Sequence, residues 1–187
     1  MMEESPVDTL HREFADLLAF LDENREVSMR NTADGNFRKA LLLAAASYFE
    51  RRLTNVVVVF VEEVTSSGHV VAWLVRKRVV ERQYHTWFDW PSRNANRFFS
   101  MFGESFGRHM KSAVEEDDDL SSSIQAFMEI GRERNRMVHQ DFGSFSLEKT
   151  AAEIYATYRS ATRFVDWFPG ALREYCSTGK DSLGERA

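Results

Sequence analysis

The sequence predicts an all-α fold, an antiparallel bundle of about five to seven helices. Chain breakers are scarce. Only 9 Gly and 3 Pro occur in 187 residues, which favours long helices over a many-turned β fold. Apolar residues recur at steps of three and four through several long stretches, and the apolar fraction of 43% is enough to fill a core.

The first helix is expected from Val7 to about Asn24. Leu10, Phe14, Leu17, Leu18 and Leu21 share one of its faces. Ser5 is placed to cap it, and Pro6 to fill its first position, where a missing N–H costs nothing. "NTADG" at 31–35 reads as a connector. From Asn36 a second stripe follows: Leu42, Ala46, Phe49, Leu53, Val56, Phe60 and Val64, about eight turns long. Within it, "VVVVFV" at 56–61 is a run that suits strands. With "TSSGH" as a turn and "VVAWLV" returning, a hairpin is the rival reading. The unbroken helical phase favours a helix, and "HVVAWLVRKRVVERQ" then reads as another.

Pro91 and Ser92 mark the next helix start, with Phe98, Phe99, Phe102 and Phe106 on its apolar side. Such a cluster can stack nucleobases. At helical spacing, core packing is the simpler reading. "VEEDDDLSSS" at 114–123 reads as a solvated break whose acids favour a following helix N-terminus. That helix runs through Ile124, Phe127, Met128 and Ile130 to His139. It is expected to end in "DFGSFS", where Gly143 suits a left-handed turn. Ser146 of "SLEK" is expected to cap the last long helix. Ala152, Ile154, Tyr155, Tyr158, Ala161, Phe164, Val165 and Phe168 continue it, and the polar tail after Cys176 should fray.

Several function classes recede. A net charge of −5 argues against a generally basic nucleic-acid coat protein but leaves room for a local basic cleft. One cysteine, Cys176, excludes an intramolecular disulfide and a cysteine metal cluster, and fits a reducing compartment. "MMEESPVDTL" lacks the apolar core of a secretory signal. The most apolar window, 41–61, is broken by Glu50, Arg51 and Arg52, which are costly in a bilayer. A cytoplasmic protein without a membrane partner is expected. His11, His69, His85 and His109 show no metal-ligand spacing, and no P-loop, glycine-rich nucleotide fingerprint or nucleophile elbow occurs, so neither metal nor cofactor is expected.

The chemistry concentrates in "GRERNRMVHQDF", residues 131–142. On a straight helix Asn135 and Arg136 share the face of His139, and Arg132 lies two turns back on the same side. Arg134 falls about 140° away, so geometry favours Arg136 as the neighbour of His139. A histidine can take a proton from a 2′-hydroxyl or give one to a leaving oxygen. A guanidinium can hold the phosphate and stabilise the extra charge of the transition state. Asparagine can position a phosphate oxygen or the imidazole. Equally, an arginine-rich last turn complements a helix C-terminus with no chemistry at all. "RKRVVER" at 76–82 could follow an RNA backbone electrostatically, although a solvated helix face is simpler.

Arg134-Asn135-Arg136-Met137-Val138-His139 resembles the R-x4-H signature of the HEPN superfamily, in its form with Asn after the Arg. "LLLAAASYFERRL", with Glu50, resembles the acid-bearing stretch of an early long helix in such domains. The arrangement after the motif looks most like the RiboL-PSP or MAE_28990-type groups, over residues 36–170. The resemblance implies a HEPN-like domain at 36–177, preceded by a helix and connector at 1–35 and followed by a polar tail at 178–187. It implies a homodimer formed through the motif face and a metal-independent endoribonuclease with a composite cleft. Arg134 would stabilise the phosphate, His139 would be the acid/base and Asn135 a positioning residue. Arg136 and Arg132 would contact RNA, and Glu50 would orient an active-site arginine or form a surface ion pair. A bacterial toxin–antitoxin or antiphage setting, with an antitoxin or regulatory protein as partner, comes from the family alone. Some toxins of the superfamily continue the motif as H-x-Y, with the tyrosine modified by a nucleotidyltransferase antitoxin. Here Gln140 and Asp141 follow, and Asp141 is instead expected to support the His139 ring. Two other readings stay open: a non-catalytic module that binds RNA, a nucleotide or a protein, and a plain helical adaptor.

Overall fold

The structure is a computed structural model that describes residues 4–65 and 68–184, with side chains described as far as Gly179. The described residues are all-α. Helix α1 spans Pro6–Glu23, α2 Val27–Thr65, α3 Val70–Val75, α4 Tyr84–Trp87, α5 Asn96–Ser100, α6 Glu104–Glu115, α7 Asp118–His139 and α8 Ala151–Gly184, with a π-helical turn at Arg76–Val80 between α3 and α4. That exceeds the five to seven helices expected, because short segments lie between α2 and α6.

Helix α1 starts as its sequence predicts. Ser5 and Asp8 form a reciprocal capping box: the Asp8 N–H donates to Ser5 Oγ at 3.1 Å and the Ser5 N–H to Asp8 Oδ2 at 2.9 Å. The same two residues reach α8. Ser5 Oγ and the Tyr158 hydroxyl lie 2.7 Å apart, and the Tyr155 hydroxyl donates to Asp8 Oδ1 at 2.8 Å. Burial raises the Asp8 carboxyl, but the backbone and hydroxyl bonds from Ser5, the Tyr155 bond and the Arg159 charge outweigh it and hold the group below its usual range.

The expected connector at 31–35 is helical. Helix α2 starts at Val27, and the break lies earlier, at Asn24–Glu26, where Arg25 takes a φ of 59°. Gly35 is carried inside the helix because α1 packs along this part of α2, with Phe14 stacked on Phe37 and Arg30 paired to Asp22. The rival hairpin at 56–75 is not formed. Residues 56–65 complete α2, where Leu53 and Val57 are buried, and 70–75 form α3. Core burial overrides the strand preference of the valine run. Residues 66–67 of the "TSSGH" turn lie outside the described residues. The single helix expected at 69–83 is instead α3, the π-helical turn and a break at 81–83.

Other boundaries shift as well. Pro91 and Ser92 belong to a turn, not a helix start, and α5 begins at Asn96. Phe98, Phe99 and Phe106 are buried, as core packing requires. The polar stretch 114–123 is mostly helical. Asp117 caps α7 by accepting the Leu120 N–H at 2.9 Å, so only Glu116 and Asp117 separate α6 from α7. Gly143 is not in the left-handed region; α7 ends with Gln140 in extended backbone. Thr150, not Ser146, caps α8: the Glu153 N–H donates to Thr150 Oγ1 at 3.2 Å and the Thr150 N–H to Glu153 Oε2 at 2.8 Å. Helix α8 runs through Gly184, and the end of the expected tail lies outside the described residues.

Cross-helix contacts give the arrangement. Asp117 meets Arg163, Ser123 meets Ser160 and Glu129 meets Lys149, so α7 and α8 are antiparallel. Arg52 meets Asp166 and Glu63 meets Arg173, so α2 and α8 are parallel. Helix α1 runs against both. Ser123 is buried at the α7–α8 seam. Its hydroxyl donates to the Ser160 carbonyl at 2.7 Å and accepts the Phe164 N–H at 2.8 Å. Phe49, Phe127, Phe164 and Phe168 lie in the core between the long helices, with Trp87, Phe88 and Phe98 packed beside them. No helix among the described residues is long and apolar enough to cross a membrane.

Candidate active site

Helix α7 turns one broad stripe toward α2: Phe127, Ile130, Gly131, Arg134, Asn135, Val138 and His139. The steps alternate between three and one, as a helical face requires. The apolar half of the stripe joins the core, and the polar half opens into a cavity of about 560 Å³. Helix α2 supplies Ala46, Phe49 and Glu50. The segment after the π-helical turn supplies Arg82, Tyr84, His85 and Trp90.

Arg134 and His139 lie on the two edges of the stripe, so both line the cavity despite their offset of five. The Arg134 guanidinium donates to Asn135 Oδ1 at 3.1 Å. Asn135 therefore orients the arginine beside it, and its amide nitrogen stays available. His139 is exposed at the mouth, beside Val138, which is also exposed. Lys39 is buried and donates to the Phe142 carbonyl at 2.7 Å, fastening the segment after His139 to α2.

Three expected site residues are placed differently. Arg136, which helix geometry favours as the partner of His139, does not line the cavity. It donates to both carboxylate oxygens of Glu133, at 3.1 and 2.8 Å, and lies over the Phe145 ring. Arg132 pairs with Glu133 at 3.5 Å and lines a separate depression with Ser92, Arg93 and Ser160. The Asp141 carboxylate does not engage His139. It accepts the Gly143 N–H at 3.1 Å and the Ser144 hydroxyl at 3.0 Å, closing its own turn.

Glu50 lines the cavity, but it makes neither the arginine bond nor the surface ion pair expected of it. Among the described residues its carboxylate has no hydrogen-bond or ion-pair partner. Nearby, the Tyr84 side chain is buried, with an unpartnered hydroxyl. Burial, reinforced by the Glu50 charge and opposed by that of Arg134, pushes the Tyr84 phenol well above its ordinary value. The phenol is therefore a neutral donor at physiological pH.

Tyr84, His85 and Trp90 were not singled out as site residues by the sequence, and Arg82 only as the end of the basic stretch 76–82. Arg82 adopts a φ of 58°, an uncommon conformation for a side chain of its size, and has no ion-pair partner among the described residues. Trp90 is half-buried. Its indole N–H donates to the His85 carbonyl at 3.0 Å, and its ring lies against Gly131. Among the described residues no three His, Cys, Asp or Glu side chains gather as a metal site.

The cavity thus brings together a cation, an amide, an imidazole, aromatic walls and a carboxylate without a partner among the described residues. It is equipped to hold a phosphodiester beside an aromatic base and to move a proton there. No curated protein and no solved structure matches the chain. A family profile described as RiboL-PSP-HEPN matches residues 8–173, from within α1 to within α8 and across every residue of the cavity. On that match, which spans most of its length, the chain belongs to the RiboL-PSP-HEPN family.

Proposed function

We propose that this protein is a metal-independent endoribonuclease that cleaves RNA by attack of a 2′-hydroxyl on the adjacent phosphodiester. One observation carries the reading: Arg134, Asn135 and His139 line one cavity, and the Arg134 guanidinium is held by the neighbouring amide rather than by a carboxylate. A guanidinium not neutralised by an acid keeps its full charge for a phosphate.

His139 takes the proton of the 2′-hydroxyl or delivers one to the leaving 5′-oxygen. The oxygen–phosphorus bond to the new ring forms as the bond to the 5′-oxygen breaks, leaving a 2′,3′-cyclic phosphate and a 5′-hydroxyl. One imidazole supplies one of the two proton transfers, and a second copy of the chain supplies the other. His139, Val138 and Phe142 are all exposed on the face such a homodimer would use. A bacterial toxin or antiphage role, in the cytoplasm and under an antitoxin or regulatory protein, follows the family. In the test, purified protein is incubated with RNA in EDTA. Wild type should yield fragments with 2′,3′-cyclic phosphate ends, and His139→Ala should yield none. Intact RNA with wild type at micromolar protein would sink the reading.

A second reading is a non-catalytic module that binds RNA, a nucleotide or a protein partner. It is favoured by the His139 ring, which has no orienting partner among the described residues. Binding without cleavage by both proteins would select it.

A further inference from the structure

We propose that the cavity holds a guanine pocket, in which Glu50 and Tyr84 read the Watson–Crick edge of a base in single-stranded RNA while Trp90 stacks on its face. The proposal rests on the nuclease reading for its choice of RNA, but its chemistry comes from two groups that reading does not use.

The first is the Glu50 carboxylate. It lines the cavity without a partner, although arginines are present on the same walls. The second is the Tyr84 hydroxyl, on a side chain only 9% exposed and also without a partner. Glu50 is half-buried and Tyr84 buried, and with no hydrogen-bond partner among the described residues both leave their polar atoms open to a ligand in the cavity they line. Both groups line the same cavity, and burial, reinforced by the Glu50 charge, keeps the phenol a donor.

Together they present one donor and two acceptor oxygens. Guanine is the base with the complementary edge: O6 accepts, while N1–H and N2–H donate side by side. Adenine would set its N1 lone pair against the carboxylate. Cytosine offers one donor beside two acceptors, and uracil one donor between two. The walls fit a flat ring. Trp90 lines the cavity, its six-membered ring lies against Gly131, and Phe88 and Phe127 pack tilted against it at centroid distances of 4.9 and 6.0 Å. The cavity, about 560 Å³, has room for a purine nucleotide. With Arg134 and His139 lining the same cavity, the phosphate beside the bound guanosine lies next to the groups that would cleave it.

The test is binding, so that it does not depend on cleavage. Purified chain is titrated calorimetrically with the 3′-monophosphates of guanosine, inosine and adenosine. It is also titrated with a 2′-O-methyl oligouridine carrying one guanosine. Guanosine should bind about tenfold tighter than inosine, which lacks one donor, and about a hundredfold tighter than adenosine. Glu50→Gln should erase the guanosine–inosine difference. Tyr84→Phe, which keeps the ring and its packing, should weaken guanosine and inosine equally and leave adenosine unchanged. The oligonucleotide should bind tighter than the free nucleotide. Equal binding of all three bases, a preference that survives Glu50→Gln, or no binding of any probe overturns the pocket. A free nucleotide binding tighter than the oligonucleotide overturns the RNA assignment. Cleavage of RNA without base preference would remove this pocket and leave the nuclease standing. Guanosine preference in a protein that cuts nothing would do the reverse.

Discussion

The indole of Trp90 occupies the space where a side chain on Gly131 would begin. A Cβ at position 131 would lie 1.8 Å from Trp90 Cζ3 and 2.2 Å from Cε3. The motif helix and the cavity wall are therefore in contact through a position that tolerates only hydrogen.

This contact reverses an ordinary rule. Replacing a mid-helix glycine by alanine normally stabilises by about 1 kcal/mol. Here Gly131→Ala should destabilise by about 1–3 kcal/mol, because the indole must leave its place or its turn must move away from α7. Urea denaturation of the single variant and of Gly131→Ala with Trp90→Ala checks it. The double variant should regain part of the loss, and a single variant more stable than wild type would refute the contact.

Arg134 and Arg136 differ in the charge that faces the cavity. Arg134→Ala should lower the RNA cleavage rate by about 10²–10³-fold, the range for a lost transition-state donor. Arg136→Ala removes an ion pair with Glu133 at the surface, so it should change cleavage less than about threefold and stability by under about 1 kcal/mol. Single-turnover rates and thermal melts of both variants decide it. Equal losses from the two would mean that the cavity has been assigned to the wrong arginine.

Arg82 combines a left-handed backbone with a cation that no acid neutralises. Glycine adopts that backbone without steric cost, so Arg82→Gly should gain up to about 1 kcal/mol of stability. The same change should weaken RNA binding and flatten its salt dependence, since one phosphate contact is lost. Melting temperature and binding at two salt concentrations should therefore move in opposite directions. A variant that binds as wild type does would show that the Arg82 charge plays no part at the cavity.

Acid should loosen the α1–α8 clamp. The Asp8 carboxyl is held below its ordinary value, so it gains protons more readily in the unfolded chain than in the folded one. Its contribution to stability is whole above the unfolded value, about 3.9, and is lost as pH falls through the lower folded value. Asp8→Asn should lower stability at neutral pH and reduce the difference between neutral and acid melting temperatures. An unchanged acid slope would place the linkage elsewhere.

Local chemistry made some features legible in advance. Ser5 and Pro6 announce α1 because capping is a matter of neighbouring residues, and Asp8 completes the box in the structure. Helix α2 could be followed through the valine run because Leu53, Val56 and Phe60 keep a helical phase, although the buried residue of the run is Val57 and Val64 is exposed. Arg134, Asn135, His139 and Glu50 could be picked out by motif and resemblance, and they line one cavity. The start of α2 was hidden because Asn31 to Gly35 has the composition of a loop, and packing against α1 overrules it. Arg136 looked right on an isolated helix, but an angle measured from one residue does not say which face the bundle covers. The wall from Arg82 to Trp90 was least legible. A π-helical turn and a four-residue helix have no period to read, and their placement comes from contacts far along the chain.

The Ser123 hydroxyl, held between the Ser160 carbonyl and the Phe164 N–H, works as an axial stop. A helix that slid along its neighbour by a fraction of a turn would break both bonds and strand a polar group in the core. His139 rides on the same helix, sixteen residues further on, about 24 Å away at 1.5 Å per residue. The height of the imidazole against α8 is therefore gauged from a point remote from the cavity. Substitutions at the α7–α8 seam, far from any nucleotide, would be felt at the cavity as a change of alignment.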